Sequence, residues 1–152
     1  MQEERRNLSA VGQEILYAAR NELYMNLPYL DVALCALAFR DGTGMTLSIA
    51  TDGEILYYDP AYLAERYLRG SAAVNRGYLH TILHCMLRHL RKKQGKMPEL
   101  WDLACDIAVE SILDDLHYRC LEETPTPLNE RSTASAARKC RCSRPRAFIA
   151  GS

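Results

Sequence analysis

The chain has 152 residues, 48% of them apolar and 25% charged, with nineteen basic and nineteen acidic side chains and a formal net charge of zero. Such a composition is globular, excludes a disordered or collagen-like polymer, and creates no global field toward nucleic acid or an acidic membrane. The longest uninterrupted apolar run, residues 32–39, is far short of the roughly 20 residues that a membrane-spanning helix needs.

Residues 1–6 mix acids with bases, and no apolar segment of the secretory kind follows them, so a soluble, cytoplasmic chain is expected. Over residues 8–27 apolar side chains recur at helical spacing (Leu8, Val11, Ile15, Leu16, Ala19, Leu23), with Ser9 or Asn7 as a cap and Pro28 at the end. Pro28 can also open a second predicted helix over residues 29–39. Residues 41–44 (Asp-Gly-Thr-Gly) are turn chemistry. Residues 45–50 alternate as a short strand does, Thr51-Asp52-Gly53 turns the chain, and residues 54–58 are β-rich, so 45–58 predicts a hairpin. Asp59-Pro60 is a helix start, a capping residue followed by proline in the first turn. The helix that follows carries Tyr62, Leu63, Tyr67 and Leu68 on its apolar side and ends near Gly70.

Residues 75–77 offer the start of the next element. Leu79, Ile82, Leu83, Met86, Leu87 and Leu90 mark an amphipathic helix running to about Lys92. Gly95 and Pro98 then break the chain, and Trp101, Leu103, Ala104, Ile107, Ala108, Ile112 and Leu113 build a last helix over residues 98–117. Thr124-Pro-Thr-Pro127 closes the compact part. The expected fold class is α+β, mostly α, a helical domain with one small β-hairpin.

Two units are expected, a domain at residues 1–128 and a basic tail at 129–152. Residues 131–152 hold six basic side chains and no acidic ones, which leaves thirteen basic against nineteen acidic in the first 130. The tail is patternless and reads as disordered; lacking interleaved aromatics apart from Phe148, it is not taken as a nucleic-acid arm. Cys35, Cys85, Cys105 and Cys120 stand singly in apolar segments and read as reduced, buried thiols. Cys140-Arg-Cys142 lacks a second ligand pair and is a weak metal signal.

The chemistry gathers in His80-Thr-Ile-Leu-His84 and in Asp102, Asp106 and Glu110. His80 and His84 lie four residues apart, so both rings leave one helix face and can share a metal ion. In an unbroken helix His89 would point about 180° away from His80. A break near Gly95 makes an antiparallel helix pair, in which residues equidistant from the break face one another. His84 then faces Asp106, His80 faces Glu110, and Arg88 can pair with Asp102. That much charge on one stripe calls for a bound cation such as Zn²⁺ or for cationic partners, and spacing alone leaves both a metal site and an ion-paired polar seam open.

These helices, with Thr51-Asp-Gly-Glu-Ile-Leu-Tyr-Tyr-Asp-Pro60 upstream, resemble the bacterial metallopeptidase-type domain found ahead of von Willebrand factor A-like domains. The resemblance covers about residues 8–121. It implies a zincin-like fold, with His80 and His84 as the two histidine ligands of a zinc ion and Asp106 as the acidic residue of the following helix. The glutamate expected at the second position of the His-Glu-x-x-His motif is replaced by Thr81, which cannot serve as the proton-accepting base. Glu110 remains as a stand-in base or a further ligand. The function implied is a zinc metallopeptidase-like domain acting on a peptide or protein substrate, catalytically degenerate. The alternative is a non-catalytic interaction module working with a von Willebrand factor A-like or AAA ATPase partner. The von Willebrand-type domain does not follow here, so a fragment or a fold-only pseudo-enzyme is a further expectation.

A patternless tail buries little apolar area. Truncation after Asn129 is therefore expected to leave the melting temperature nearly unchanged in a thermal scan, and a large drop would show that the tail packs.

Overall fold

The computed structural model describes residues 1–91 and 95–123. The proposed tail, the Thr124–Pro127 closure and the Cys140/Cys142 pair lie outside the described residues. Helix α1 (Gln2–Asn26) is followed by a 3-10 turn (Pro28–Leu30), a short α2 (Asp31–Cys35), strands β1 (Ala38–Asp41), β2 (Ile49–Thr51) and β3 (Ile55–Tyr58), and helices α3 (Pro60–Arg69), α4 (Ser71–Met86) and α5 (Pro98–Asp115). A second 3-10 turn, Arg119–Leu121, is the last element of the described residues. The architecture is α+β and mostly α. No helix among the described residues is long and apolar enough to cross a membrane.

Helix α1 begins six residues earlier than its apolar pattern does. Met1 is its N-cap without a side-chain hydrogen bond, so neither Asn7 nor Ser9 acts as the cap. Its buried stripe is Gly12, Ile15, Leu16, Ala19 and Leu23. Gly12 permits a close approach: a Cβ there would meet the Tyr58 ring at 2.7 Å. The Tyr58 hydroxyl donates to the Ser9 carbonyl at 3.0 Å, locking α1 over the sheet.

The second predicted helix is much shorter than expected. Its last residues leave helical geometry and become β1, which pairs in parallel with β3, Phe39 opposite Leu56. An apolar run such as Ala-Leu-Ala-Phe is locally ambiguous between helix and strand, and a strand partner elsewhere in the chain decides it. A hairpin forms from β2 and β3, Ala50 opposite Tyr57, but it is shorter than expected: residues 45–48 lie outside the strand and Thr51, expected in the turn, is its last residue; the sheet order is β1-β3-β2. At the α3 start the Asp59 carboxylate accepts from the Tyr62 N–H at 3.0 Å, with Pro60 in the first turn. Of the expected apolar side only Leu63 is fully buried; Leu68 is 87% exposed.

Helix α4 is the axis of the molecule. It packs on α1, α2, α3, α5, β2 and the Arg119–Leu121 turn, and it is buried from Ala73 to Asn75 and from Tyr78 to His84. It starts at Ser71, one turn before the expected start. Tyr78 shows how its polar groups are met: the hydroxyl donates to the Leu34 carbonyl and accepts from Arg20 Nε at 3.1 Å. Arg20 also donates to the Leu37 carbonyl at 2.7 Å and lies 4.2 Å from the Phe39 ring centre. Thiols follow a similar division: Cys105 and Cys120 are buried as expected, but Cys85 is only half-buried and Cys35 is exposed, α2 ending at the surface.

The end of α4 departs most from the sequence pattern. The helix stops at Met86, not near Lys92. The His89 N–H donates to the His84 carbonyl and the Arg88 N–H to the Cys85 carbonyl, both at 3.1 Å, the hydrogen-bond pair of a Schellman turn. Arg88 has φ +57°, the left-handed conformation that glycine usually supplies at this position. With arginine there, the sequence carries no stop signal, and Leu87 and Leu90 keep the apolar period running past the true end.

An exposed non-glycine residue in left-handed geometry is strained. Arg88→Gly is expected to raise stability to denaturant by roughly 0.5–1 kcal/mol, and Arg88→Val to lower it.

Candidate metal centre

The antiparallel pairing of α4 and α5 sets out the site. Gly95, at φ +74°, turns the chain, and Pro98 opens α5. Counting outward from the break, His84 meets Asp106: His84 Nε2 lies 3.2 Å from Asp106 Oδ1. One turn further out His80 Nδ1 lies 2.7 Å from Glu110 Oε1. Both contacts are those expected from sequence. The same count faces Arg76 with Asp114, and the Arg76 guanidinium does donate to Asp114 Oδ1 and to Glu110 Oε2, each at 2.6 Å. Arg76 was legible by this count, yet its role went unseen because no spacing motif includes it.

His80 and His84 turn their Nε2 atoms toward each other at 2.9 Å, and Asp106 Oδ1 lies 3.8 Å from His80 Nε2. Both rings are buried, 6% and 3% exposed, so they cannot rely on bulk water for hydrogen bonding. His80, His84 and Asp106 form a group whose ligand atoms all lie within 4.8 Å of one another and could hold a metal ion. Donors bound at about 2.0–2.1 Å around a tetrahedral ion stand roughly 3.3 Å apart. The three observed separations bracket that distance, so the residues present fit the group.

Glu110 occupies the opposite side of the His80 ring, at Nδ1 rather than Nε2. The hydrogen bond from His80 is the largest influence on its carboxyl; burial opposes it, Arg76 adds to it, and the pKa is held down to about 2. The carboxylate is thus ionised throughout the neutral range and fully engaged by two donors. Thr81, at the position of the missing glutamate, is buried, and its hydroxyl donates to the Gly77 carbonyl at 3.0 Å within its own helix.

His89 is not on the far side of the helix. The Schellman turn ends α4 and swings residue 89 back, so that His89 Nδ1 lies 3.1 Å from His84 Nδ1. The Trp101 indole N–H donates to the His89 carbonyl at 3.2 Å. This contact had no sequence signal, since it depends on Arg88 adopting a glycine-like conformation.

The model of a family described as "Putative metallopeptidase domain" matches residues 13–138. A protein of Thermotoga maritima described as "Uncharacterized protein" is 26% identical over 111 residues, covering 69% of this chain and 27% of the relative. The chain thus matches little more than a quarter of that relative's length. No solved structure matches.

Glu110→Gln removes the charge shared by His80 and Arg76. In the metal-free protein it is expected to lower stability by about 1 kcal/mol near neutral pH, a figure discounted for a side chain that is 44% exposed. Because the folded carboxyl is depressed, its contribution is present in full above its ordinary 4.5 and fades as pH falls toward about 2. Denaturant melts of the two proteins should therefore converge in acid.

Proposed function

The chain belongs to the metallopeptidase-domain family that matches residues 13–138, and from that premise we propose that it is a zinc-binding, zincin-like domain whose hydrolytic chemistry is degenerate. The observation that carries this reading is the convergence of His80, His84 and Asp106 across α4 and α5. Two imidazoles and a carboxylate are the donor set of a catalytic zinc site, which keeps a further position open. When bound there, the ion would supply Lewis acidity toward a carbonyl and lower the pKa of a water.

The chain's own residues divide the remaining work. His80, His84 and Asp106 would be the ligands. Glu110, expected from sequence as a stand-in base or a further ligand, is better suited to orient His80: its carboxylate fixes the proton on Nδ1 and leaves Nε2 as the donor atom, the arrangement of a carboxylate–histidine–metal triad. A carboxylate held near pKa 2 is also a weak proton acceptor. Thr81 has no group that takes a proton near neutral pH. The peptide amide is the substrate class that family membership supports, and slow or absent turnover is what the Thr81 position supports.

One observation favours a second reading, a non-catalytic interaction module. Leu100, Leu103 and Ile107 form an exposed apolar stripe on α5, each at least 57% accessible, beside the turn that carries Asp106. A von Willebrand factor A-like or AAA ATPase partner would use the same stripe.

Metal analysis of the purified protein separates the two. The zinc reading expects close to one equivalent in the native chain and none in His84→Ala; a folded native chain without metal would leave only the interaction module. For catalysis, Thr81→Glu is expected to raise peptide hydrolysis by about 10²-fold or more over a low native rate. Strong native hydrolysis that Thr81→Glu does not increase would sink the degenerate-enzyme reading.

A further inference from the structure

His84 makes one more contact, which the ligand set above does not use. Its Nδ1 is 3.1 Å from His89 Nδ1, with the two rings T-shaped and their centroids 5.0 Å apart. Backbone geometry enforces this. In a Schellman turn the residue after the left-handed position packs back over the last turn of the helix, here over His84. Trp101 secures it from α5, donating to the His89 carbonyl and standing edge-on to its ring.

The contacts dictate where the ring protons sit in neutral imidazoles. Glu110 accepts from His80 Nδ1–H, which leaves His80 Nε2 an acceptor. His84 Nε2–H then donates across 2.9 Å to His80 Nε2, and His84 Nδ1 accepts from His89 Nδ1–H. Ligation through both Nε2 atoms requires the other tautomer of His84, protonated on Nδ1, and His89 Nδ1 must then accept.

We propose that His89 is a positioning residue of the metal centre: in the loaded form it accepts the hydrogen bond from His84 Nδ1–H, fixing the tautomer and orientation of that ligand, and the polarity of the His84–His89 bond reverses on metal binding. The inference rests on the metal-centre reading above. Proton count is conserved over the two rings. One proton passes from His89 Nδ1 to His84 Nδ1, and the proton released from His84 Nε2 is balanced by one taken up at His89 Nε2. The two histidine ligands thus have unlike supports, a carboxylate behind His80 and an imidazole behind His84.

The test is zinc affinity, measured by competition with a chromophoric chelator at neutral pH, in the native chain, His89→Phe and His89→Gln. His89→Phe removes the acceptor and is expected to weaken zinc by about 10- to 100-fold while keeping one site per chain. His89→Gln offers a carbonyl oxygen to His84 Nδ1–H and should regain most of the loss, which a merely structural role for the ring would not predict. In the native chain, ¹⁵N spectra of the histidine rings should show His84 moving from the Nε2–H to the Nδ1–H form on zinc addition, with His89 moving from Nδ1–H to Nε2–H; this needs no substitution to fold. Unchanged affinity in His89→Phe, or complete loss of zinc in His89→Gln as in a ligand deletion, would overturn the positioning role while leaving the metal centre standing. A native chain that binds no zinc would defeat the centre itself, and this inference with it.

Discussion

Helix α4 is buried on nearly every side, and two of its buried residues are histidines. An apolar side chain in that position needs only contact, but an imidazole brings two nitrogens that must be satisfied away from water. The rest of the centre follows from that demand. α5 lies antiparallel in a register that puts Asp106 and Glu110 against His84 and His80, and a shifted register would take both carboxylates away from the rings. The polar seam therefore fixes how two helices with otherwise ordinary apolar faces are aligned.

Charge along the seam is graded from outside to inside. Arg76 sits at the outer end, one turn of α4 before His80, and neutralises Asp114 and Glu110. Glu110 passes the influence inward by holding the proton of His80 on Nδ1. At the inner end His80 Nε2 and His84 Nε2 lie 2.9 Å apart, and Asp106 Oδ1 stands 3.2 Å from His84 Nε2. Supporting residues thus stand on the outside and convergent donors on the inside, a group that could hold a metal ion.

In the proposed reading, catalysis turns on one helical position. Residue 81 follows His80 directly, so its side chain leaves the helix about 100° around from the ligand. A long acidic side chain can reach back from there toward the ligands; the threonine hydroxyl instead returns to the Gly77 carbonyl of its own helix. Ligand geometry and proton transfer are separable requirements; in the proposed reading His80, His84 and Asp106 would meet the first, and Thr81 supplies no group for the second.

What the sequence determined by itself is local and periodic: the hairpin with its Asp52-Gly53 turn, the Asp59-Pro60 helix start, the helical spacing of His80 and His84, and the count that sets α5 against α4. These depend on neighbours a few residues apart or on one short break, and the physics that selects them acts within that range. The tertiary structure decided the rest. Phe39 lies in a strand because β3 offers a partner seventeen residues on, and no local propensity records that pairing. α4 ends at Met86 because Arg88 takes a left-handed conformation that its own side chain disfavours and the packing of His89 beneath Trp101 accompanies. Whether Glu110 meets His80 at Nε2, beside Asp106, or at Nδ1 behind the ring was likewise beyond the sequence, since spacing gives the helix face but not which ring nitrogen the carboxylate meets. That choice is made by the distance between two packed helices, and only the folded chain sets it.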